Sequence, residues 1–63
     1  MELGDKIREL RRKKGLSQFA LAKKTGLTKD RIGDLERGEA KKHGLKEMIV
    51  LAEFFEVPLD YFK

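Results

Sequence analysis

Between Ser17 and Gly38 the stop and start signals of helices fall so close together that only two short helices and a tight turn fit. Ser17 is a good N-cap, and the FALA run behind it supplies apolar helix-forming residues. Gly26 stands where that helix must end and the chain must turn, a position suited to a residue without a Cβ. Leu27 follows, Thr28 is a second N-cap, and Gly38 lies just beyond the second helix. Ile32 and Leu35, three apart, share one face of that second helix. Isolated helices under about 12 residues are marginal in water, so these two must be held by packing against others.

The flanking segments supply the partners. Leu3, Ile7 and Leu10 form an i, i+4, i+7 stripe, which predicts a first helix over about Glu2–Lys14, with Gly15 just past its end. The second helix is expected over about Gln18–Lys24 and the third over about Lys29–Arg37. Gly38–Gly44 has no periodicity and reads as a loop. A fourth helix follows over about Leu45–Phe55, its expected buried stripe being Leu45, Met48, Ile49, Ala52 and Phe55, with Leu51 at the margin. Val57-Pro58 opens a short last helix or turn carrying Leu59, Tyr61 and Phe62. No strand pattern or internal repeat interrupts this order. The expected fold is all-α: a single domain over residues 1–63, a compact bundle of about five short helices. Its expected core is Leu3, Ile7, Leu10, Leu16, Leu21, Ala22, Leu27, Ile32, Leu35, Met48, Ala52 and Phe55.

Helix, short turn, second helix is the helix-turn-helix unit, whose second helix reads the DNA major groove. The charge distribution suits such a partner. Residues 1–31 hold ten Lys/Arg and four Asp/Glu, a net +6, whereas residues 32–63 hold five and seven, a net −2. A basic half on a small domain favours a polyanion. The run Arg11–Lys14 also compensates the negative end of the first helix, so dipole and phosphate roles are both open. Several other classes are excluded. The 63 residues leave no room for a large catalytic cleft, and there is no cysteine for a disulfide or thiolate site. His43 is the only histidine and lies in a charged loop, so no metal site is expected. No apolar run approaches the roughly 20 residues of a membrane span, and the first residues lack a signal-peptide core, so a cytoplasmic location is expected. No nucleophile–base pair or glycine-rich phosphate loop is present; neither an enzyme nor a cofactor is expected, and no small-molecule ligand is evident.

The segment LSQFALAKKTGLTKDRIGDLERG resembles the XRE, or Cro/C1-type, helix-turn-helix family of phage repressors and bacterial regulators. IRELRRKKGLSQ at the start and LAEFFEVPLDYF at the end fit the same pattern, so the resemblance covers nearly the whole chain. It implies a lambda repressor-like bundle whose third helix enters the major groove. It implies that Gln18 touches a phosphate or a base edge beside one, and that Thr28 caps helix 3 and contacts backbone phosphate. Lys29, Asp30 and Asp34 fall in the slots that usually read bases, with Gly33 on the same exposed side. Arg11 and Glu36 match a pair that in relatives joins helix 1 to helix 3, a structural role.

Departures from the family pattern concentrate in the reading helix. Two of its reading slots are aspartates where relatives usually carry Ser, Gln, Arg or Asn. An aspartate repels phosphate but accepts a hydrogen bond from cytosine N4. Asp30 near the helix N-terminus equally serves the dipole, and Asp34 stands between cytosine reading and plain solvation. Phe19 and Ala20 replace the glutamates usual in helix 2.

Backbone neutralisation supplies most DNA affinity, and the candidates are Arg12, Lys13, Lys23, Lys24, Lys29, Arg31, Lys41 and Lys42. One small domain covers few base pairs, and the family reads half-sites about 34 Å apart as twofold dimers. Val50, Phe54, Leu59, Tyr61 and Phe62 exceed what the core needs. Leu59 and Phe62 suit closing its base, which leaves Phe54 and Tyr61 as the dimer candidates. The leading expectation is a sequence-specific regulator of transcription, a repressor, binding double-stranded DNA as a homodimer. The alternative is a protein-interaction module on the same scaffold, including an antitoxin-type partner binder.

Overall fold

The structure is a computed structural model describing residues 2–40 and 44–62. It contains four α-helices: α1 (Leu3–Lys13), α2 (Gln18–Thr25), α3 (Lys29–Arg37) and α4 (Leu45–Phe55). A single 3₁₀ turn over Leu59–Phe62 takes the place of a fifth helix. Its first bond, Tyr61 N–H to the Pro58 carbonyl at 2.9 Å, has the i→i+3 spacing of that tighter form. Lys41, Lys42 and His43 lie outside the described residues.

Local chemistry sets the helix ends. The Ser17 hydroxyl accepts from Ala20 N–H at 3.0 Å, and the Thr28 hydroxyl accepts from Arg31 N–H at 3.0 Å. Gly26 closes α2 in the left-handed region at φ 80°, its N–H returning to the Ala22 carbonyl at 2.9 Å. That geometry is open to glycine at no steric cost, and it turns the chain within two residues into the Thr28 cap. α3 ends similarly: Glu39 N–H bonds back to the Asp34 carbonyl at 2.9 Å across Gly38. α4 starts without a hydroxyl cap. There the Glu47 carboxylate accepts from Gly44 N–H at 3.1 Å, one half of a capping box.

The core is built around Ile7, Leu21, Ile32, Leu35 and Leu51, all fully buried, with Ala22, Met48, Ala52, Phe55 and Phe62 around them. Leu3, Leu10, Leu16 and Leu27, expected inside, are half-buried and pack against its edge. The phase of α4 differs from the expected one. Met48, Leu51, Ala52 and Phe55 face inward, while Leu45 and Ile49 are 66% and 40% exposed. The inward set keeps i, i+3, i+4, i+7 spacing; α4 is turned so that Leu51 replaces Ile49, and Leu45 lies in the first turn. Phe62 closes the core as a buried residue, and Leu59 packs against it.

α1 and α3 meet at backbone distance. Gly4 is buried, and a Cβ placed there would collide with the Glu36 carbonyl oxygen and lie 2.7 Å from that of Leu35. This contact fixes the C-terminal half of α3 against α1.

Candidate nucleic-acid interface

The apolar positions of α3, Ile32 and Leu35, are used by the core, so its other side faces outward. At 100° per residue, Lys29, Asp30, Gly33, Asp34 and Arg37 fall on that outer side. Lys29, Asp30 and Arg37 are exposed and Asp34 is half-buried. Gly33, expected to be exposed, is buried. The Arg37 side chain covers it: a Cβ at Gly33 would lie 3.0 Å from Arg37 Nη1 and 3.6 Å from Gln18 Oε1. Asp34 is not a free carboxylate, since Arg37 Nη2 donates to its Oδ1 at 2.6 Å. Arg37 Nε also donates to Glu39 Oε1 at 2.8 Å.

The rear of α3 is anchored by Glu36, whose side chain has no exposure. Arg11 Nε donates to Glu36 Oε2 at 2.6 Å, and Arg11 Nη2 donates to Oε1 at 3.0 Å, a two-point guanidinium–carboxylate pair. Gln18 Nε2 donates to Oε1 at 3.2 Å, and Arg8 Nε lies 3.4 Å from the same oxygen. Burial pushes the Glu36 carboxyl up, but the bonds from Arg11 and Gln18 and the charges of Arg11 and Arg8 outweigh it, holding it below the ordinary glutamate value. Arg11 Nη1 further donates to the Leu16 carbonyl at 2.8 Å, so one guanidinium joins α1, the α1–α2 turn and α3. Gln18, expected at a phosphate, has its amide nitrogen engaged in this cluster.

Arg31, expected at a phosphate, is half-buried and engaged by another side chain. Its Nε donates to Glu47 Oε2 at 2.6 Å and its Nη2 to Glu47 Oε1 at 2.7 Å. The pair ties the first turn of α3 to the first turn of α4. The hydrogen bond that Arg31 donates to Glu47 keeps its guanidinium above its ordinary value, against the opposing effect of desolvation. Of the other basic candidates, Arg12, Lys13, Lys23, Lys24 and Lys29 are exposed. Lys13 lies 3.6 Å from Glu9 on α1, and the Lys23 ammonium sits 5.5 Å from the Phe19 ring centre. Lys23, Lys24 and Lys29 flank the turn between α2 and α3 in the chain.

The dimer candidates have partners of their own. Lys14 lies over the Phe54 ring at 5.5 Å and Lys6 over the Tyr61 ring at 5.7 Å, and both rings are half-buried. Among the described residues the large apolar side chains left exposed are Phe19, Leu45 and Ile49. Among the described residues no helix is long and apolar enough to cross a membrane.

Sequence reasoning passed over Arg37, Arg8, Glu47 and Gly4. Gly4 and Gly33 carried a signal, because a glycine inside a helix is unfavourable by about 1 kcal/mol relative to alanine and needs a packing reason. For Arg37 the signal was its place four residues beyond that glycine.

Comparison with known proteins fits this geometry. A family model described as helix-turn-helix matches residues 7–62. The chain belongs to the XRE, or Cro/C1-type, helix-turn-helix family. A relative within that family is YobD of Bacillus subtilis (strain 168), named an uncharacterised HTH-type transcriptional regulator. It is 36% identical over 56 residues, 89% of this chain and 49% of that regulator. The chain therefore spans about half the length of this relative. Two solved structures are similar throughout. The DNA-binding domain of the P22 c2 repressor in solution superposes with a TM-score of 0.84 at 29% identity, over 98% of this chain and 80% of that one. The P22 c2 repressor in complex with a synthetic operator superposes with a TM-score of 0.87 at 29% identity, over 98% and 92%. The lambda repressor-like fold that the family resemblance implies is therefore the observed one.

Proposed function

We propose that this chain is the DNA-binding part of a transcriptional regulator, a repressor, which sets α3 into the major groove of double-stranded DNA. The observation that carries this reading is the outward polar face of α3, carrying Lys29, Asp30, Asp34 and Arg37, on a helix seated rigidly by the buried Glu36–Arg11 pair. Its similarity to a repressor solved with an operator supports the same use of the fold. Base edges are contacted from this face, and Thr28 at the α3 N-terminus meets a backbone phosphate. Lys23, Lys24 and Lys29 neutralise phosphates on either side of the α2–α3 turn, with Arg12 and Lys13 of α1 as further contributors. Arg31 is a structural residue in this reading, because its guanidinium is taken by Glu47.

Two copies bind together on half-sites about one helical turn apart. The surface we assign to the homodimer is the outer side of α4, where Leu45 and Ile49 stand one turn apart and exposed, rather than Phe54 and Tyr61, which are half-buried under lysines. A patch of two residues gives weak association in solution, which DNA tightens by holding both copies.

A second reading is favoured by Phe19, which is 59% exposed on α2. It makes this face a docking site for another protein. Fluorescence anisotropy against salt, with a random duplex and with a selected library, separates the two. Enrichment of a palindrome together with a steep salt slope is the result expected of an operator-binding dimer. Absence of binding at low salt favours the protein-interaction reading.

A further inference from the structure

α3 brings two aspartates to a surface meant to meet a polyanion, and Arg37 relieves the conflict at one of them, Asp34. In a helix, side chains lean toward the N-terminus over the preceding turn. Arg37, in the last turn of α3, accordingly lies back across Gly33, with Nη1 3.0 Å from the point a Cβ would occupy. Its Nε donates to Glu39 Oε1 at 2.8 Å and its Nη2 donates to Asp34 Oδ1 at 2.6 Å. Nε and Nη2 of the guanidinium are thus each held by a carboxylate, which fixes its plane. The two Nη1 hydrogens and the second Nη2 hydrogen meet no acceptor among the described residues. Nη1 and Nη2 therefore each keep an N–H donor. The side chain remains 52% exposed.

Two donors held in one plane, one on Nη1 and one on Nη2, suit the O6 and N7 acceptors that guanine presents in the major groove. We infer that Arg37, laid over Gly33 and held by Asp34 and Glu39, reads a guanine in the operator half-site. Asp34 and Glu39 are positioning residues for this contact. By pairing with Arg37, Asp34 also ceases to present a bare negative charge to the phosphates. Gly33 leaves room for the guanidinium; a Cβ there would press on Nη1 and shift it. The inference rests on the proposed DNA-binding function and adds to it a base identity and a residue that reads it.

Selection from a randomised duplex library tests this with the wild-type chain and with Arg37→Ala, Arg37→Lys and Gly33→Ala. The wild type is expected to select a half-site with a fixed guanine. Arg37→Ala is expected to lose about tenfold to a hundredfold of the discrimination at that one position, with the remaining positions unchanged. Arg37→Lys keeps the charge but not the paired donors, so it is expected to weaken the guanine preference while leaving the salt slope as it was. Gly33→Ala is expected to weaken the same position and no other. Unchanged sequence preference with uniformly weaker binding and a salt slope lower by about one would make Arg37 a phosphate contact and overturn the inference. A wild type that binds DNA with salt dependence but enriches no sequence overturns it while leaving DNA binding standing. A wild type that binds no DNA at low salt overturns both.

Discussion

Arg11 and Glu36 join α1 to α3 through a carboxylate with no exposed surface, the Arg11 Nε to Glu36 Oε2 distance being 2.6 Å. A charge in that position is tolerable only because Arg11 and Gln18 donate to it and the Arg8 guanidinium lies beside it. Truncation leaves the two arginines facing an empty, poorly solvated space. Glu36→Ala is expected to cost about 3–5 kcal/mol, read as a shift in the urea midpoint. A loss below about 0.5 kcal/mol would assign the pair no more weight than a surface salt bridge.

The same carboxylate gives the fold an acid-side dependence. Its folded value is held below the ordinary 4.5 by Arg11, Gln18 and Arg8, despite the opposing effect of burial. The unfolded chain then binds more protons between the two values, so stability rises with pH across that window. The contribution is complete above 4.5 and is lost as the pH falls through the folded value. Since other carboxylates titrate nearby, the measurement is the difference in urea midpoint between wild type and Glu36→Gln. That difference is expected to be constant at neutral pH and to shrink on acidification below the ordinary glutamate range. A difference that stays flat down to about pH 3 would show that the pair does not titrate with folding.

Gly4 is where two backbones touch. A methyl group there must displace the end of α3, because the atoms it meets are the carbonyl oxygens of Glu36 and Leu35 rather than a flexible side chain. Helix propensity alone would make Gly4→Ala stabilising by about 1 kcal/mol. The clash is expected to reverse that sign, for a net loss of about 1–3 kcal/mol in thermal or urea unfolding. A stabilised variant would mean that α1 and α3 are not in backbone contact.

How much of this was legible in the chain depended on the range of the interaction. Ser17, Gly26, Thr28 and Gly38 act within a few residues, and the ends they set for α3 are the observed ones. The register of α4 was not legible because eight of its eleven residues are apolar. An apolar stripe can then be drawn at more than one angle, and packing against the rest of the core chose the one with Leu51 inside. The polar site was harder. Arg31 belongs to Glu47, 16 positions away, and Gly4 belongs to α3, more than 30 positions away, so neither role has a local signature. Arg37 is the intermediate case. Its partners are three and two residues off, yet its role depends on the direction in which a long side chain leans.

The division between structural and phosphate-binding cations is open to a direct comparison. Lys23→Ala is expected to weaken binding to all duplexes alike and to lower the salt slope by about one. Arg31→Ala is expected to leave that slope unchanged and instead to lower the thermal midpoint, because it releases the α3–α4 tie to Glu47. A reduced slope for Arg31→Ala would show that DNA draws this guanidinium away from Glu47.

Leu45 and Ile49 allow the dimer to be tested without touching either the core or α3. Both are exposed on α4, Leu45 at 66% and Ile49 at 40%, so Leu45→Ser with Ile49→Ser removes apolar surface that the folded monomer leaves in water. Unfolding midpoints are expected to stay within about 0.5 kcal/mol of the wild type, as for surface changes in general. In sedimentation the wild type is expected to associate weakly at high concentration and the double variant to stay monomeric. On DNA, the double variant is expected to occupy one half-site with unchanged sequence preference but to lose cooperative filling of the second. Should the double variant associate as the wild type does, the contact lies elsewhere, and Phe54 and Tyr61, freed of Lys14 and Lys6, become the surface to change next.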